Sequence, residues 1–188
     1  MRLGRLLVAL LGLVALLSPI AEARADDPRW VFYTGNKTRY VSPWFEGEHR
    51  IMIPFGCTRA PYYAPDSRCR DKQGFHHGID IAMDCGTMLY AGRDFRVVSS
   101  SGLGSAYGAR PLRLRNSNLG WDVVIGHASK VYVTEGRGVR RGWRIARAGD
   151  SGAPDGCHLH FERRKVAGGL STAVHPVRLL GLEPRPRD

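Results

Sequence analysis

Short apolar runs separated by glycine-rich turns recur along the chain from His49 onward. The runs are rich in β-branched and aromatic residues, which is typical of β-strands. They lie at residues 51–53, 78–82, 88–91, 96–98, 121–125, 131–133, 143–146 and 157–163. No window carries a helical hydrophobic stripe longer than about one turn. The pattern predicts an all-β fold: a compact, antiparallel, two-sheet domain with long loops and little helix.

The first 25 residues follow a different pattern. Arg2 and Arg5 precede an apolar run at residues 6–20, and an alanine-rich stretch ends at Ala25. This order is typical of a secretory signal peptide, so we predict cleavage near Ala25 and export to the periplasm, the cell wall or the medium. The apolar run is shorter than the ~20 residues that a membrane span needs. No later segment is as apolar, so we expect no stable membrane insertion after cleavage.

The rest of the chain divides into three predicted segments, and its length favours a single domain. Residues 26–48 lack clear periodicity and form an N-terminal lead-in with room for one strand. Residues 49–180 contain the strand-like runs and form the main domain. Residues 181–188 form an exposed tail.

The chain is strongly basic, with 28 Lys and Arg against 17 Asp and Glu. Loss of the predicted signal peptide leaves 25 basic and 16 acidic residues, a net charge of +9. Such a charge attracts polyanions. For an exported protein, anionic cell-wall polymers suit this charge better than nucleic acid, although a merely soluble basic surface explains it equally well. We expect a monomer.

Four cysteines follow the predicted cleavage site: Cys57, Cys69, Cys85 and Cys157. An even number in an exported protein predicts two disulfides, and four cysteines allow three pairings. Pairing Cys57 with Cys69 closes a short loop, whereas pairing Cys85 with Cys157 joins distant segments. A structural zinc site is disfavoured because the close CxxC pairs typical of such sites are absent.

The segment Gly149-Asp150-Ser151-Gly152 resembles the nucleophile loop of trypsin-type serine proteases. That chemistry needs a base histidine and an orienting acid. His127 lacks the Ala-Ala-His-Cys context of that base and precedes Ser151 by only 24 positions. We therefore interpret the segment as a turn.

Histidines give the stronger chemical signal. In a strand, His158 and His160 point to one face, while Leu159 and Phe161 point to the other and enter the core. Upstream, His76 precedes Asp80 by four positions, and Asp80 interrupts an otherwise apolar strand. A carboxylate in a buried strand is costly unless it is paired or bound to a metal. Two histidines and one carboxylate would make a zinc site with one open position, the catalytic rather than the structural pattern.

Three segments resemble the lysostaphin/LytM-type zinc endopeptidases of peptidoglycan. They are HHGIDIAMDCGTMLYAG at residues 76–92, GHAS with VTEGRGVRRGW at residues 126–143, and GDSGAPDGCHLHFE at residues 149–162. The resemblance runs in the family's order from about His49 to Leu180. It implies one zinc ion held by His76, Asp80 and His160 in a groove.

By the same resemblance, His127 and His158 are the two further active-site histidines. The implied activity is hydrolysis of a peptide bond in the stem or cross-bridge of peptidoglycan, by a zinc-activated water and a histidine base. We assign His158 as that base and His127 as the oxyanion stabiliser, and the two roles are interchangeable. A disulfide between Cys85 and Cys157, which lie beside the motifs, would brace the site.

Two departures from the family pattern bear on specificity. The usual Tyr-Ala-His-Leu-Ser is Ile125-Gly126-His127-Ala128-Ser129 here, and the usual Gly-Gln is Gly142-Trp143. Two other interpretations stay open. The first is an inactive wall-binding or amidase-activating relative, although such proteins lose ligands that are all present here. The second is a basic polyanion-binding protein with incidental histidines.

Overall fold

Fourteen β-strands are the main regular elements in a computed structural model of the chain, which describes residues 26–185. The predicted signal peptide and the last three residues lie outside the described range. The strands are β1 (Arg39–Ser42), β2 (Phe45–Ile53), β3 (Gly56–Thr58), β4 (Gly74–His76), β5 (Ile79–Ala82), β6 (Met88–Tyr90), β7 (Phe95–Val98), β8 (Leu112–Asn116), β9 (Trp121–Gly126), β10 (Lys130–Val131), β11 (Gly138–Val139), β12 (Arg144–Arg147), β13 (His158–Lys165) and β14 (Glu183–Pro184).

Helix is scarce in the described part of the chain. It consists of one four-residue helix, α1 (Val177–Leu180), and two 3-10 turns, Ser105–Tyr107 and Leu170–Thr172. Between residues 26 and 185 no helix has the length and apolar character needed to cross a bilayer. The all-β prediction is confirmed.

Twelve strands form one curled antiparallel sheet in the order β10-β12-β6-β2-β5-β13-β9-β8-β7-β11, with β1 paired to β2 and β14 paired to β1. Strands β3 and β4 form a small second sheet. The segment before β12 is hydrogen-bonded to strands from both halves of the large sheet. Val97 in β7 donates its N–H to the Arg137 carbonyl, and Ala91, just after β6, donates its N–H to the Trp143 carbonyl. The prediction of an antiparallel two-sheet domain is confirmed.

Strand β13 lies at the centre of the large sheet and carries both core and polar residues. It pairs with β5 on one side and β9 on the other, so that His160 stands opposite Asp80 and opposite Gly126. Leu159 and Phe161 are 1% and 0% exposed and belong to the main core. Their burial fixes the register of the strand, because a one-residue slip would move them to the opposite face.

The lead-in and the tail are both continuous with this sheet. Strand β2 begins at Phe45 and crosses the boundary predicted after residue 48. The Trp30 Nε1–H donates to the Cys157 carbonyl at 2.7 Å, which fastens the lead-in beneath the loop before β13. At the other end, Glu183 and Pro184 are exposed but pair with β1.

Candidate metal centre

Three side chains from three strands converge on one point. His76 ends β4, Asp80 lies in β5 and His160 lies in β13. Asp80 Oδ1 is 2.8 Å from His160 Nδ1 and 3.4 Å from His76 Nε2. The two histidine nitrogens are 3.2 Å apart. The structure therefore brings together the three residues that the sequence singled out as ligands.

This arrangement fits a zinc ion. Donors ~2.1 Å from a tetrahedral metal lie ~3.4 Å from one another, which is close to the spacing of these three atoms. His76, Asp80 and His160 are 0%, 2% and 7% exposed, so the donors are shielded from competing water on most sides. Two imidazoles and one carboxylate also match the ligand types that zinc takes in catalytic sites.

Hydrogen bonds at the far side of each imidazole set which nitrogen is free to bind a metal. His76 Nδ1 lies 3.1 Å from the Pro54 carbonyl oxygen, which can only accept, so Nδ1 carries the hydrogen and Nε2 is free. His160 Nε2 lies 2.9 Å from Glu162 Oε1, so Nε2–H donates there and, when the ring is neutral, Nδ1 is free. Such outer partners orient metal-binding histidines and raise their basicity.

Glu162 is itself held by a buried network. Tyr107 Oη donates to its Oε1 at 2.8 Å, and Arg164 Nε donates to its Oε2. Burial favours the neutral acid, but the contacts with His160 and Arg164 prevail and lower the pKa of Glu162 to about 2. The acceptor behind His160 is therefore a carboxylate at neutral pH.

The charges around the three donors favour a cation. Burial disfavours the charged form of Asp80, yet the surrounding histidines hold its pKa well below the usual range. Burial also opposes protonation of His160, but the carboxylates of Asp80 and Glu162 raise its pKa to about 10. The raised pKa of His160 reflects the negative field of these two carboxylates, which a divalent ion would neutralise.

His127 and His158 stand beside the three donors, with their ring centroids 4.5 Å apart. His158 Nδ1 lies 3.0 Å from the Gly156 carbonyl oxygen, and His127 Nδ1 lies 2.9 Å from the Ser151 carbonyl oxygen. Each Nδ1 therefore carries the hydrogen when the ring is neutral, and each Nε2 keeps a lone pair. His158 Nε2 is 3.7 Å from Asp80 Oδ1, which places it at the metal centre.

His127 has an unusual backbone. Its φ of 60° lies in the left-handed region that non-glycine residues rarely adopt, and such residues concentrate at functional sites. Burial, reinforced by the neighbouring histidines, lowers the pKa of His127 to about 4. At neutral pH the free Nε2 of His127 is therefore a hydrogen-bond acceptor.

The five residues border a groove of about 590 Å³. Its walls come from the loop around Tyr62 and Tyr63 and from residues 152–155. The charged or ionisable side chains that line it are His76, His77, Asp66, Asp80, Asp155, His127, His158, His160 and Glu162, with Tyr62, Tyr63 and Tyr107. No lysine, arginine or lead-in residue is among the described residues that line the groove.

Both disulfides are present in the structure, Cys57–Cys69 and Cys85–Cys157. The first closes the loop that supplies the tyrosine wall of the groove. The second joins the residues after β5 to the residue before β13, so it links the strands that carry Asp80 and His160. Between residues 26 and 185 there is no free cysteine.

The remaining sequence predictions concern polar residues near the site. Ser151 lies in a turn, where its Oγ accepts the Ala109 N–H at 2.9 Å and its carbonyl accepts from His127. The hydroxyl and the carbonyl of Ser151 both accept hydrogen bonds in this turn, which is consistent with the turn interpretation of the segment. His77 lines the rim of the groove and lies 3.1 Å from Arg68 Nη2.

Comparison with known proteins places the chain in a family. A model of peptidase family M23 matches residues 74–176, more than half of the chain. The chain belongs to peptidase family M23. This M23 chain is 34% identical over 87 residues to peptidoglycan DD-endopeptidase ShyA of Vibrio cholerae. The alignment covers 46% of the M23 chain and 20% of ShyA, so the chain spans about a fifth of the length of that relative.

Solved structures of two relatives have the same fold as the M23 chain. LytU superposes with a TM-score of 0.58 at 29% identity, covering 72% of this chain and 86% of LytU. The catalytic domain of lysostaphin from Staphylococcus simulans gives 0.57 at 26% identity, covering 71% of this chain and 92% of that domain. The predicted lysostaphin/LytM-type resemblance is confirmed.

Proposed function

We propose that this M23 domain is an exported, zinc-dependent endopeptidase that hydrolyses a peptide bond in the stem or cross-bridge of peptidoglycan. The observation that carries the proposal is the convergence of three metal donors with two acceptor nitrogens. The donors belong to His76, Asp80 and His160, and the acceptors are the Nε2 atoms of His127 and His158. The relative ShyA is a peptidoglycan DD-endopeptidase, which supports the choice of substrate class.

Zinc bound to the three donors supplies a Lewis acid that activates water for attack on a carbonyl group. His158 accepts the proton of that water at Nε2, since its Nδ1–H is already held by the Gly156 carbonyl. The resulting imidazolium is stabilised by the nearby carboxylate of Asp155, whose Oδ1 is 3.7 Å from Nδ1. His158 then delivers the proton to the departing amine.

The geometry of His127 favours an acceptor role over the oxyanion role expected from sequence. Donation to an oxyanion requires a hydrogen on Nε2, which a histidine with a pKa of about 4 lacks at neutral pH. We propose that neutral His127 orients the attacking water through Nε2 while its Nδ1–H is fixed on the Ser151 carbonyl. The interchange of base and orienting roles between His127 and His158 is the alternative.

The groove and the disulfides support the choice of substrate and of compartment. The groove is open enough for an extended peptide and contains carboxylates without lysine or arginine among its described lining residues. We propose that it favours a neutral or cationic peptide segment next to the cleaved bond. Two disulfides are typical of exported proteins and support export.

The test is digestion of purified sacculi by the zinc-loaded protein, with fragments analysed after chelation and after zinc is restored. We expect new peptide fragments that disappear with chelator and return with zinc. His158→Ala should keep one bound zinc and lose about 10²–10⁴-fold in rate. His175→Ala, an exposed histidine outside the described lining of the groove, is the matched control and should cleave normally. Sacculus binding without new fragments would identify the domain as a non-catalytic wall-binding relative.

A further inference from the structure

The basic residues of this protein lie outside the described lining of the groove. The described lining of the groove holds four carboxylates and no lysine or arginine, although the chain carries 28 basic residues. The segment from Lys130 to Arg147 alone contains six basic residues and one acidic residue, Glu135. Substrate attraction by the groove therefore does not explain where this charge lies.

We use the name arginine face for the surface that carries Arg93, Arg141 and Arg178, which line one cavity, with Arg137, Arg140 and Arg144, which are exposed in the same chain segment as Arg141. The turn that carries Arg93 and the turn that carries Arg140 and Arg141 are joined by backbone hydrogen bonds, because Gly142 donates to the Ala91 carbonyl and Ala91 donates to the Trp143 carbonyl. The Arg141 N–H also donates to Asp94 Oδ1 at 2.8 Å. The arginines on these turns therefore occupy one continuous surface.

A cavity of about 410 Å³ opens on the arginine face, and Arg93, Arg141 and Arg178 all line it. Asn116 and Asn118 add amide groups to its lining. The carboxylate among the described residues that line the cavity belongs to Asp94, and it already accepts a hydrogen bond from the Arg141 backbone N–H. Across residues 26–185, the three guanidinium groups have neither an ion pair nor a side-chain hydrogen bond, so their donors are available to a ligand.

Trp143 follows Arg141 by two residues and is 40% exposed. The Arg137 guanidinium lies 5.5 Å from the centroid of its ring, which places a cation next to an exposed aromatic surface. An exposed aromatic ring among arginines gives a flat contact area for a polymer chain in addition to charge.

We propose that the arginine face binds a phosphodiester polymer of the cell envelope and holds the enzyme on it while the groove stays free. Arginine prevails over lysine on this face, and its planar fork suits phosphate oxygens bidentately. A lipid bilayer is a poorer fit, because binding to a membrane surface needs a broad apolar face. The arginine face offers the single exposed aromatic residue Trp143 among its described residues. The proposal goes beyond the peptidase function and does not depend on it.

The test measures binding of fluorescently end-labelled poly(glycerol phosphate) to the zinc-loaded protein over a range of salt concentrations. The variant is R93S/R141S/R178S, and the matched control R59S/R70S/K72S removes the same charge from exposed positions elsewhere. We expect the first variant to lose about tenfold or more in affinity, with the slope of log K against log salt reduced by about 2. The control should retain most of the affinity of the parent protein.

Two further probes decide which partner is bound: single-stranded DNA of equal charge and phosphatidylglycerol vesicles. Tighter binding to either than to poly(glycerol phosphate) overturns the proposed partner. An equal loss of affinity in both triple variants also overturns it, because net charge rather than the arginine face would then account for binding. Unchanged melting temperature and zinc content show that the variants are folded.

Discussion

His160 Nε2 lies 2.9 Å from Oε1 of Glu162, two residues further along the same strand. The contact joins a proposed metal ligand to a carboxylate that is 1% exposed and held by Tyr107 and Arg164. The strand period of two places both side chains on the same face, so β13 supplies the ligand and the group that orients it.

Glu162→Gln should weaken zinc binding about 10- to 100-fold. The amide leaves the size of the side chain unchanged but removes the negative charge that accepts the His160 Nε2–H. Competition with a chromogenic chelator measures the dissociation constant. Glu183→Gln, an exposed change in β14, is the control. An unaltered zinc affinity in Glu162→Gln, with the fold intact, would show that the contact does not tune the ligand.

Gly78→Ala should destabilise the protein by about 2 kcal/mol and weaken zinc binding. A Cβ atom at residue 78 would stand 2.8 Å from His160 Cε1 and 2.9 Å from the Phe161 carbonyl oxygen. Urea unfolding and zinc titration measure the two effects. Gly138→Ala is a matched control, because a Cβ there meets no atom within 4 Å. Equal behaviour of the two variants would contradict the steric explanation.

Removing the disulfide Cys85–Cys157 should cost more stability than removing Cys57–Cys69. The two bonds span sequence separations of 72 and 12 residues, and the unfolded chain gains more freedom when the longer loop is opened. The loop-entropy relation gives about 4 and about 3 kcal/mol for Cys-to-Ala pairs. Denaturant unfolding of the two double variants measures the difference, and the reverse order would rule out loop entropy as the main cause.

Asp122→Asn should destabilise the protein by on the order of 3 kcal/mol at pH 7. Asp122 is fully buried and accepts hydrogen bonds from Arg113, Arg115 and the Ala167 N–H. Burial raises its pKa, but these contacts prevail and lower the pKa below its usual value.

This lowered pKa gives the Asp122 contribution a pH dependence. The stabilisation is present above the unfolded pKa of about 3.9 and is lost as pH falls toward the folded pKa. The gap between the urea midpoints of the parent and of Asp122→Asn should therefore stay constant from pH 7 down to about 4 and narrow as pH falls further. A gap that does not narrow at the lower pH would mean that the ionised carboxylate is not its source.

The sequence predicted the two strands that carry Asp80 and His160, because their apolar neighbours alternate clearly, but it did not predict β4, which ends at His76. Asp80 between Ile79 and Ile81, and His160 between Leu159 and Phe161, each mark a polar face opposite the core. Strand β8 was not predicted, although its sequence alternates leucine with Arg113 and Arg115 in the period of a half-buried strand. Those arginines are compatible with a strand only because Asp122 on the neighbouring strand pairs with both.

Other parts of the site depend on contacts between residues far apart in the sequence. Tyr107 reaches Glu162 across 55 positions from a 3-10 turn that carries no periodic signal. The left-handed backbone of His127 is not encoded in its residue type, and the partner of its Nδ1 is a backbone carbonyl. The alternation along β13 does point to Glu162 and Arg164, which continue the polar face of the two histidines.

The side chains of β13 alternate between two faces, so the register that buries the core residues also positions the ionisable residues of the site. His158, His160, Glu162 and Arg164 occupy the even-numbered positions, and the core residues Leu159 and Phe161 occupy odd ones. Inserting or deleting one residue within this strand would turn the hydrophobic side chains outward and send the ionisable ones into the interior. Such a protein would fail to fold, rather than fold and lack only its activity. Insertions and deletions in this strand are therefore excluded by the requirement for a stable fold.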